Sequence, residues 1–598
     1  MDKCADPLLY IEELLDSRIR EFLSSPCSVN FSLKLNKRHG RKTTCADFVI
    51  PAFTRRLEKS PEHQGKVDFL SIADKLLGDD SCSKRASSIK TYFNKLDLNS
   101  GHLTITLNRK AVTKAIIGNV LNRSKQYGSG QGLQKSCQNC GIVVVTDTVL
   151  QHSTEARCVS LEDLRTVTTA MHVSQLLKLH GVGTDAVHVA PPQSSMKSSK
   201  GVPELLPLFS SFYSENQQDD LPTLKDIVGK IRPRLESLPR VVPITLENSP
   251  LPAYEDENCS NHADGKSSQH QNIPCSSEAF VINVEQCLKD RRITGFSSTV
   301  TNSKAVTSDN LLQHISCLEL GTAKSTQAKG TIIHVINCRK LFASQTGGLL
   351  WQITSDNPCS SMQVFISLGL VSAQKNGQIL PEDISAETLL RIREKQLHES
   401  YFLKYGSQVT GEEWVQSIRS MAISTIKIQL MAAAQNSNIT LDISENSQDF
   451  RQATFLLYNS ARLSKLFQKF EDGVTQGLYP SLPSIDQVDF SLLRDEEEWT
   501  LLLRYVLMYP SAVSDAIQPL TSNPQHGSTL TLHTNRICCF LLSLSHEFSS
   551  YYGRVHILVE PRPHLFPLMF ARLYLIKAIQ QVLHNCLALL EIEPLTQM

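Results

Sequence analysis

The sequence predicts a multidomain protein with an α+β unit at its N-terminal end, a Rossmann-type α/β middle and an all-α helical bundle over its last third. Three observations predict this. At 598 residues the chain is too long for one hydrophobic core. Gly141-Ile-Val-Val-Val145 is a continuous apolar, β-branched run, the pattern of a strand buried on both faces. From Gly411 onward, apolar residues recur at helical spacing in five long segments.

Residues 1–130 read as the α+β unit. Leu8, Leu9, Ile11, Leu14, Leu15, Ile19 and Phe22 recur at helical spacing, and a second apolar set follows at Phe48, Val49, Ile50, Ala52, Phe53 and Leu57. Leu103-Thr-Ile-Thr-Leu107 alternates as a strand, and Arg109 to Leu121 has the spacing of a helix. Gly128 and Gly130 form a flexible break without the lysine or the strand–glycine–helix context of a phosphate loop.

The middle domain is expected over 138–190 and 330–410. The run at 141–145, a helix from Leu161 to His180 and a strand near Asp185 to Val189 make a βαβ unit. Gly330-Thr-Ile-Ile-His-Val-Ile336 and Met362-Gln-Val-Phe-Ile366 return to strand character. Between them, 191–325 is polar and aperiodic, as expected of a largely disordered insertion with short ordered patches. In 411–598 the helical segments are Trp414 to Ala434, Asp449 to Phe470, Glu496 to Tyr509, Thr534 to Tyr552 and Phe566 to Leu590.

Charge is unevenly spread. Residues 1–130 hold 22 Lys and Arg against 14 Asp and Glu, a net of +8, which leaves −7 for the rest of a chain whose total is +1. A basic end on a neutral chain points to an anionic partner there. The first residues lack the apolar core of a signal peptide, and no run approaches the ~18 apolar residues of a membrane span. The 16 cysteines are scattered rather than framed, which fits reduced thiols in the cytoplasm and no membrane partner. Cys137 and Cys140 have a metal-like spacing, but no second pair completes four ligands, so no metal is expected.

Three stretches of the last domain resemble the anticodon-binding domain of arginyl-tRNA synthetases: Ala453-Thr-Phe-Leu-Leu-Tyr-Asn-Ser-Ala-Arg-Leu463, Phe548-Ser-Ser-Tyr-Tyr552, and Ala571-Arg-Leu-Tyr-Leu-Ile-Lys-Ala-Ile-Gln-Gln-Val-Leu-His-Asn585. Asp47-Phe-Val-Ile-Pro-Ala-Phe53, followed by the strand and helix from Leu103 to Leu121, is similar to the domain with which that family touches the tRNA elbow. The resemblance implies tRNA as partner and a degenerate class I synthetase-like middle. It departs at the aspartate of the domain's signature, since Phe570 precedes Ala571-Arg-Leu573.

A class I synthetase holds ATP phosphates on a His-x-Gly-His turn at a helix N-terminus, where dipole, N–H groups and imidazoles converge. The positions that resemble this turn are Ser160, Leu161, Glu162 and Asp163, ahead of Leu164-Arg165. Both histidines are absent, and two carboxylates stand where an anion would lie. Losing one such donor typically costs ~2.7–4 kcal/mol. The mobile lysine loop of the family should follow Phe365-Ile-Ser-Leu-Gly-Leu370, but Lys375-Asn-Gly-Gln-Ile-Leu-Pro381 stands there. Ser195-Met-Lys-Ser-Ser-Lys200 echoes that loop too early in the order. Catalytic residues and cofactors are therefore expected to be none.

Unstacked RNA bases are held by aromatic rings, and phosphates by cations. The RNA-binding candidates are Lys37, Arg38, Arg41 and Lys42 in a basic loop near the start of the chain. In the bundle they are Arg462, Tyr551, Tyr552, Arg554, Arg572 and Lys577. Residues 501–598 hold six Lys and Arg against five Asp and Glu, so phosphate-driven affinity there is expected to be modest. The expected function is a non-catalytic tRNA-binding adaptor, selective for arginine tRNAs, which presents them to a tRNA-modifying enzyme such as an anticodon-loop methyltransferase. The alternatives are a protein-interaction scaffold with a repurposed RNA surface and, remotely, an active arginine-tRNA ligase.

Overall fold

A computed structural model describes residues 34–35, 47–50, 91–99, 102–129, 142–146, 159–181, 224–239, 281–289, 295–306, 311–312, 314–316, 318–319, 331–355, 362–380, 384–406, 409, 411–444, 447–522 and 524–595. The helix expected at 8–22, the strand near 185–189, Cys137, Cys140 and the loop bearing Lys37, Arg38, Arg41 and Lys42 lie outside these residues.

The N-terminal unit is an antiparallel sheet ordered β1-β2-β4-β3, with β1 Lys34–Leu35, β2 Phe48–Ile50, β3 Phe93–Asn99 and β4 His102–Leu107. Alternation along β4 buries Leu103, Ile105 and Leu107. Helix α1, Arg109–Arg123, starts where the Asn108 side chain accepts the Ala111 N–H.

Among the described residues, three parallel strands form the middle sheet in the order β5-β8-β9, with β5 Ile142–Thr146, β8 Thr331–Asn337 and β9 Met362–Leu368. The buried strand read at 141–145 is thus β5, and α2, Leu161–Leu179, follows it as expected. β8 has a core on each face. Ile333 and Val335 join the main core, while Ile332 and Ile336 join a second one. That second core is built with described parts of the 191–325 segment. They include α3 (Leu224–Glu236), the antiparallel pair of β6 (Val281–Asn283) with β7 (Lys304–Val306), and α4 (Val284–Lys289). Helix α5, Leu341–Thr354, completes the layer.

After β9 the chain makes a hairpin, β10 Val371–Lys375 with β11 Gln378–Ile379, turned by Asn376 and Gly377 at φ 53° and 80°. Where the family resemblance calls for a lysine loop, there is therefore a tight turn. β12, Ile439–Asp442, pairs with β10 in parallel.

The bundle contains α6 (Ala386–Tyr405), α7 (Glu412–Met431), α8 (Gln448–Thr475), α9 (Glu496–Leu501), α10 (Tyr509–Thr521), α11 (Arg536–Arg554) and α12 (Phe566–Leu589). Leu502–Leu507 between α9 and α10 is a π-helical stretch. Two seams tie the bundle to the sheets. The loop before α11 runs beside β9, with the Leu530 N–H donating to Phe365 O at 2.7 Å and the Phe365 N–H donating to Ser528 O at 3.0 Å. At the end of α12, His172 Nδ1 lies 2.7 Å from Leu589 O, and Lys427 Nζ donates to Glu591 O at 2.9 Å.

The N-terminal unit docks on the bundle through α1. Arg109, Lys110 and Lys114 pair with Glu496, Asp489 and Asp486 at 2.6, 3.0 and 2.9 Å. Part of the basic excess read as a signal for an external anion is thus matched by the chain's own carboxylates. Trp499 Nε1 donates to buried Asp47 at 2.7 Å, and the Tyr127 hydroxyl donates to Val506 O within the π-helical stretch at 2.8 Å.

Candidate nucleic-acid interface

At the start of α2, Ser160 is the N-cap, and its hydroxyl oxygen accepts the Asp163 N–H at 3.0 Å. Glu162 and Asp163 occupy the first turn, where the helix dipole favours negative charge. Their carboxylates face the end of β8. Glu162 lies 3.5 Å from an Arg339 nitrogen and 3.4 Å from Asn337 Nδ2, while Lys340 Nζ reaches Asp163 at 3.2 Å. The helix terminus and the two cations that could together receive a phosphate are thus already neutralised by the chain's own acids. Leu161 is buried in the main core.

Arg165 is almost fully buried. Its guanidinium donates to four main-chain carbonyls, Gly369, Ser437, Ala434 and Gln435, at 2.7, 2.8, 2.9 and 3.2 Å. Burial lowers its pKa to about 10, with Cys338 opposing the shift, so it remains a cation at neutral pH. It ties the end of β9 to the turn after α7.

The bundle candidates separate into two clusters. In the first, Arg462 on α8 lies between two rings, 4.6 Å from the centroid of Tyr458 and 5.0 Å from that of Tyr552 on α11. A terminal nitrogen of Arg462 donates to Ser549 Oγ at 3.2 Å. Hydrogen bonding from Arg462 lowers the Tyr458 pKa, against a smaller effect of burial, and Lys404 and Lys465 add to the lowering. Tyr458 is exposed, and Lys465 and Lys469 follow on the same helix face at i+7 and i+11. Phe455 stacks on His546 at 4.9 Å and extends the groove between α8 and α11. Cations interleaved with exposed rings are what a single-stranded RNA loop needs for stacking and phosphate contact.

In the second cluster, Tyr551, read as a stacking candidate, is only 1% exposed. Its hydroxyl donates to Glu498 at 2.9 Å, and burial followed by that carboxylate raises its pKa. A base cannot reach this ring, and Tyr551 is corrected to a core residue. Arg572 pairs with Glu498 at 2.8 Å and Asp495 at 3.0 Å, and Arg554 pairs with Glu497 at 2.6 Å. Both arginines, expected to face RNA, are committed to the 495–498 acidic turn. Lys577 is exposed on α12.

Sequence reasoning missed Tyr458, Lys465, Lys469 and His546. The signal for the first three was present, since positions 458, 462, 465 and 469 fall on one face of a 3.6-residue helix. His546 had none, because its role depends on where α11 packs.

The DALR anticodon binding domain family matches residues 456–598. A protein of Danio rerio named DALR anticodon-binding domain-containing protein 3 is 33% identical over 321 residues, which cover 53% of this chain and 55% of that protein. Its namesake in Mus musculus is 38% identical over 267 residues, covering 44% and 48%. The chain thus spans about half the length of the curated relatives it matches. Among solved structures, the arginyl-tRNA synthetase of Thermus thermophilus superposes with a TM-score of 0.54 at 13% identity, covering 99% of this chain and 100% of the other. Residues 456–598 are thus similar to the DALR anticodon binding domain, and the fold is similar to that of arginyl-tRNA synthetases.

Proposed function

We propose that the protein is a non-catalytic tRNA-binding adaptor for arginine tRNAs. The observation that carries this reading is the contrast between its two ends. The α8–α11 groove keeps the exposed Tyr458 ring beside the cations Arg462, Lys465 and Lys469, whereas the start of α2 is filled by Glu162 and Asp163 paired to Arg339 and Lys340. One surface suits an RNA loop, and the other already holds its own carboxylates where a nucleotide phosphate would lie. A protein that holds tRNA without charging it has a use if it presents the tRNA to another enzyme. A tRNA-modifying enzyme acting near the anticodon loop, such as a methyltransferase, is the client this reading implies. Affinity gains from two contacts on one tRNA, with the N-terminal unit at the elbow and the bundle at the anticodon loop.

The test is titration of the full chain against a panel of tRNA transcripts at two salt concentrations, beside Tyr458→Ala and Arg462→Ala. Arginine tRNAs are expected to bind tightest, with each substitution weakening binding by about 1–3 kcal/mol, as for loss of a stacked base or a base-reading arginine. Equal binding of all tRNAs would remove the selectivity. Absence of salt-sensitive binding would favour a protein-interaction scaffold, the reading that the acid-bound Arg554 and Arg572 support. Arginine-tRNA ligase activity above background would overturn the non-catalytic reading.

A further inference from the structure

We propose that Gly553 and Arg554, at the end of α11, extend the RNA groove as a phosphate-binding subsite, and that Glu497 holds this subsite closed until a phosphate displaces it. The proposal rests on the reading of the α8–α11 groove as an RNA surface.

Two adjacent serines join the subsite to the groove. Ser549 Oγ accepts from Arg462 at 3.2 Å, while Ser550 accepts from Arg554 at its Oγ and its carbonyl oxygen, at 3.1 and 3.3 Å. Successive residues of a helix turn by about 100°, so position 553 lies between positions 549 and 550 when viewed down the axis. A glycine stands there, exposed, with nothing within 4 Å of the place a Cβ would occupy. Its φ is not in the left-handed region, so the course of the main chain does not require glycine. Glycine within a helix costs stability relative to alanine. A bare main chain at this point leaves room for an RNA backbone to pass close to α11, from Arg462 in the groove to Arg554 on its rim.

Glu497 stands at the end of that path. It lies 2.6 Å from Arg554 Nη1, with the arginine 54% and the glutamate 38% exposed. The pair adds little to the packing of α9 on α11. The next residue already ties them, since Glu498 is buried, accepts from the Tyr551 hydroxyl at 2.9 Å and pairs with Arg572 at 2.8 Å. Exposed ion pairs are weak and screened by salt, so a phosphate can take Arg554 from Glu497. Until then Glu497 opposes RNA twice, by occupying the cation and by repelling the arriving anion. Arg462 forms no ion pair among the described residues. The groove thus has an open inner cation and a covered outer one.

The test titrates the full chain with a fluorescein-labelled RNA stem-loop over a range of salt concentrations, beside Glu497→Gln alone and combined with Arg554→Gln or Gly553→Leu. Glu497→Gln is expected to tighten binding by about threefold or more. It should also steepen the fall of log affinity with log salt by about 0.7, as for one further single-strand phosphate contact. Adding Arg554→Gln or Gly553→Leu should remove the gain. All three positions are exposed, and leucine is the better helix former, so folding is kept, as thermal midpoints check. No gain in Glu497→Gln would overturn the proposal, and so would a gain that survives Arg554→Gln and therefore comes from net charge alone. A gain that survives Gly553→Leu would do the same, since RNA would not cross the bare main chain. RNA binding by the unaltered chain without the gain removes the subsite and leaves the adaptor reading standing. Inorganic polyphosphate is the second probe. If it shows the Arg554-dependent gain while RNA binds none of the proteins, the subsite stands and the adaptor reading falls.

Discussion

Two arginines show how one residue type is put to opposite uses. Arg462 is held between two rings with part of its hydrogen-bonding fork still available, whereas Arg165 spends its guanidinium on four carbonyls that close the end of β9 against the turn after α7. Lysine has neither the planarity nor the donor count to replace the latter. Arg165→Lys is therefore expected to destabilise the protein by about 3 kcal/mol, as buried carbonyls lose their donor. The midpoint of urea unfolding measures it, and an unchanged midpoint would show that the clamp contributes nothing. The sequence made Arg462 legible because it sits in a motif. It also held the information to separate Tyr551 from Tyr552. Leu541, Leu544, Phe548 and Tyr551 continue one buried stripe at helical spacing, which places Tyr551 inside and leaves Tyr552 partly exposed. The fate of Arg554 and Arg572 was not legible, since the acids that bind them come from a turn more than 50 residues away.

At the scale of elements, the long helices were readable because their apolar period persists for many turns, β5 because its run is β-branched and apolar, and β8 because such a run buries both faces. The described parts of 191–325 were harder to read. α3 holds Leu224, Ile227, Val228, Ile231 and Leu235 at helical spacing, a short period easily lost between the polar stretches on either side of it. The seam between β9 and the loop before α11 has a titratable group at its centre. His526 Nδ1 accepts the Gln363 N–H at 3.1 Å, and its Nε2 lies 3.1 Å from Gln352 Oε1, so the ring must be neutral. Burial lowers the pKa of His526, and it lowers that of fully buried His172 to about 4, against its hydrogen bonds to Leu589 and Thr534. Above pH ~6.5 both rings are neutral in the folded and unfolded chain, so their full contribution is present. As pH falls, the unfolded chain takes up protons that the folded chain refuses, and stability is lost between ~6.5 and about 4. Thermal midpoints should be flat above pH 7 and fall below 6.5, with His526→Gln lowering the plateau and flattening the slope. A midpoint independent of pH over that window would contradict this.

For the whole molecule, the ionic contact between α1 and the 486–496 segment determines how the N-terminal unit sits beside the bundle. Reversing Asp486, Asp489 and Glu496 to lysine is expected to speed amide exchange in α1 by tenfold or more, while reversing Arg109, Lys110 and Lys114 as well restores part of the protection. If exchange in α1 is unchanged, the buried bonds from Trp499 and Tyr127 hold the unit alone. The charge asymmetry was legible in composition, but its destination was not, because a count of cations does not say which acids they will meet.

The strand-like seam on β9 also has a consequence for the order of events during synthesis. Phe365 leaves the ribosome well before Ser528 and Leu530, the residues that pair with its main chain. At a synthesis rate of roughly 5–20 residues per second, that separation leaves the sheet edge open for on the order of ten seconds or more. Throughout that interval an apolar, unpaired strand edge is available to any passing chain. The nascent polypeptide should therefore need a chaperone's protection most while α6 to α10 are being made, and its exposure should end as the last helices dock.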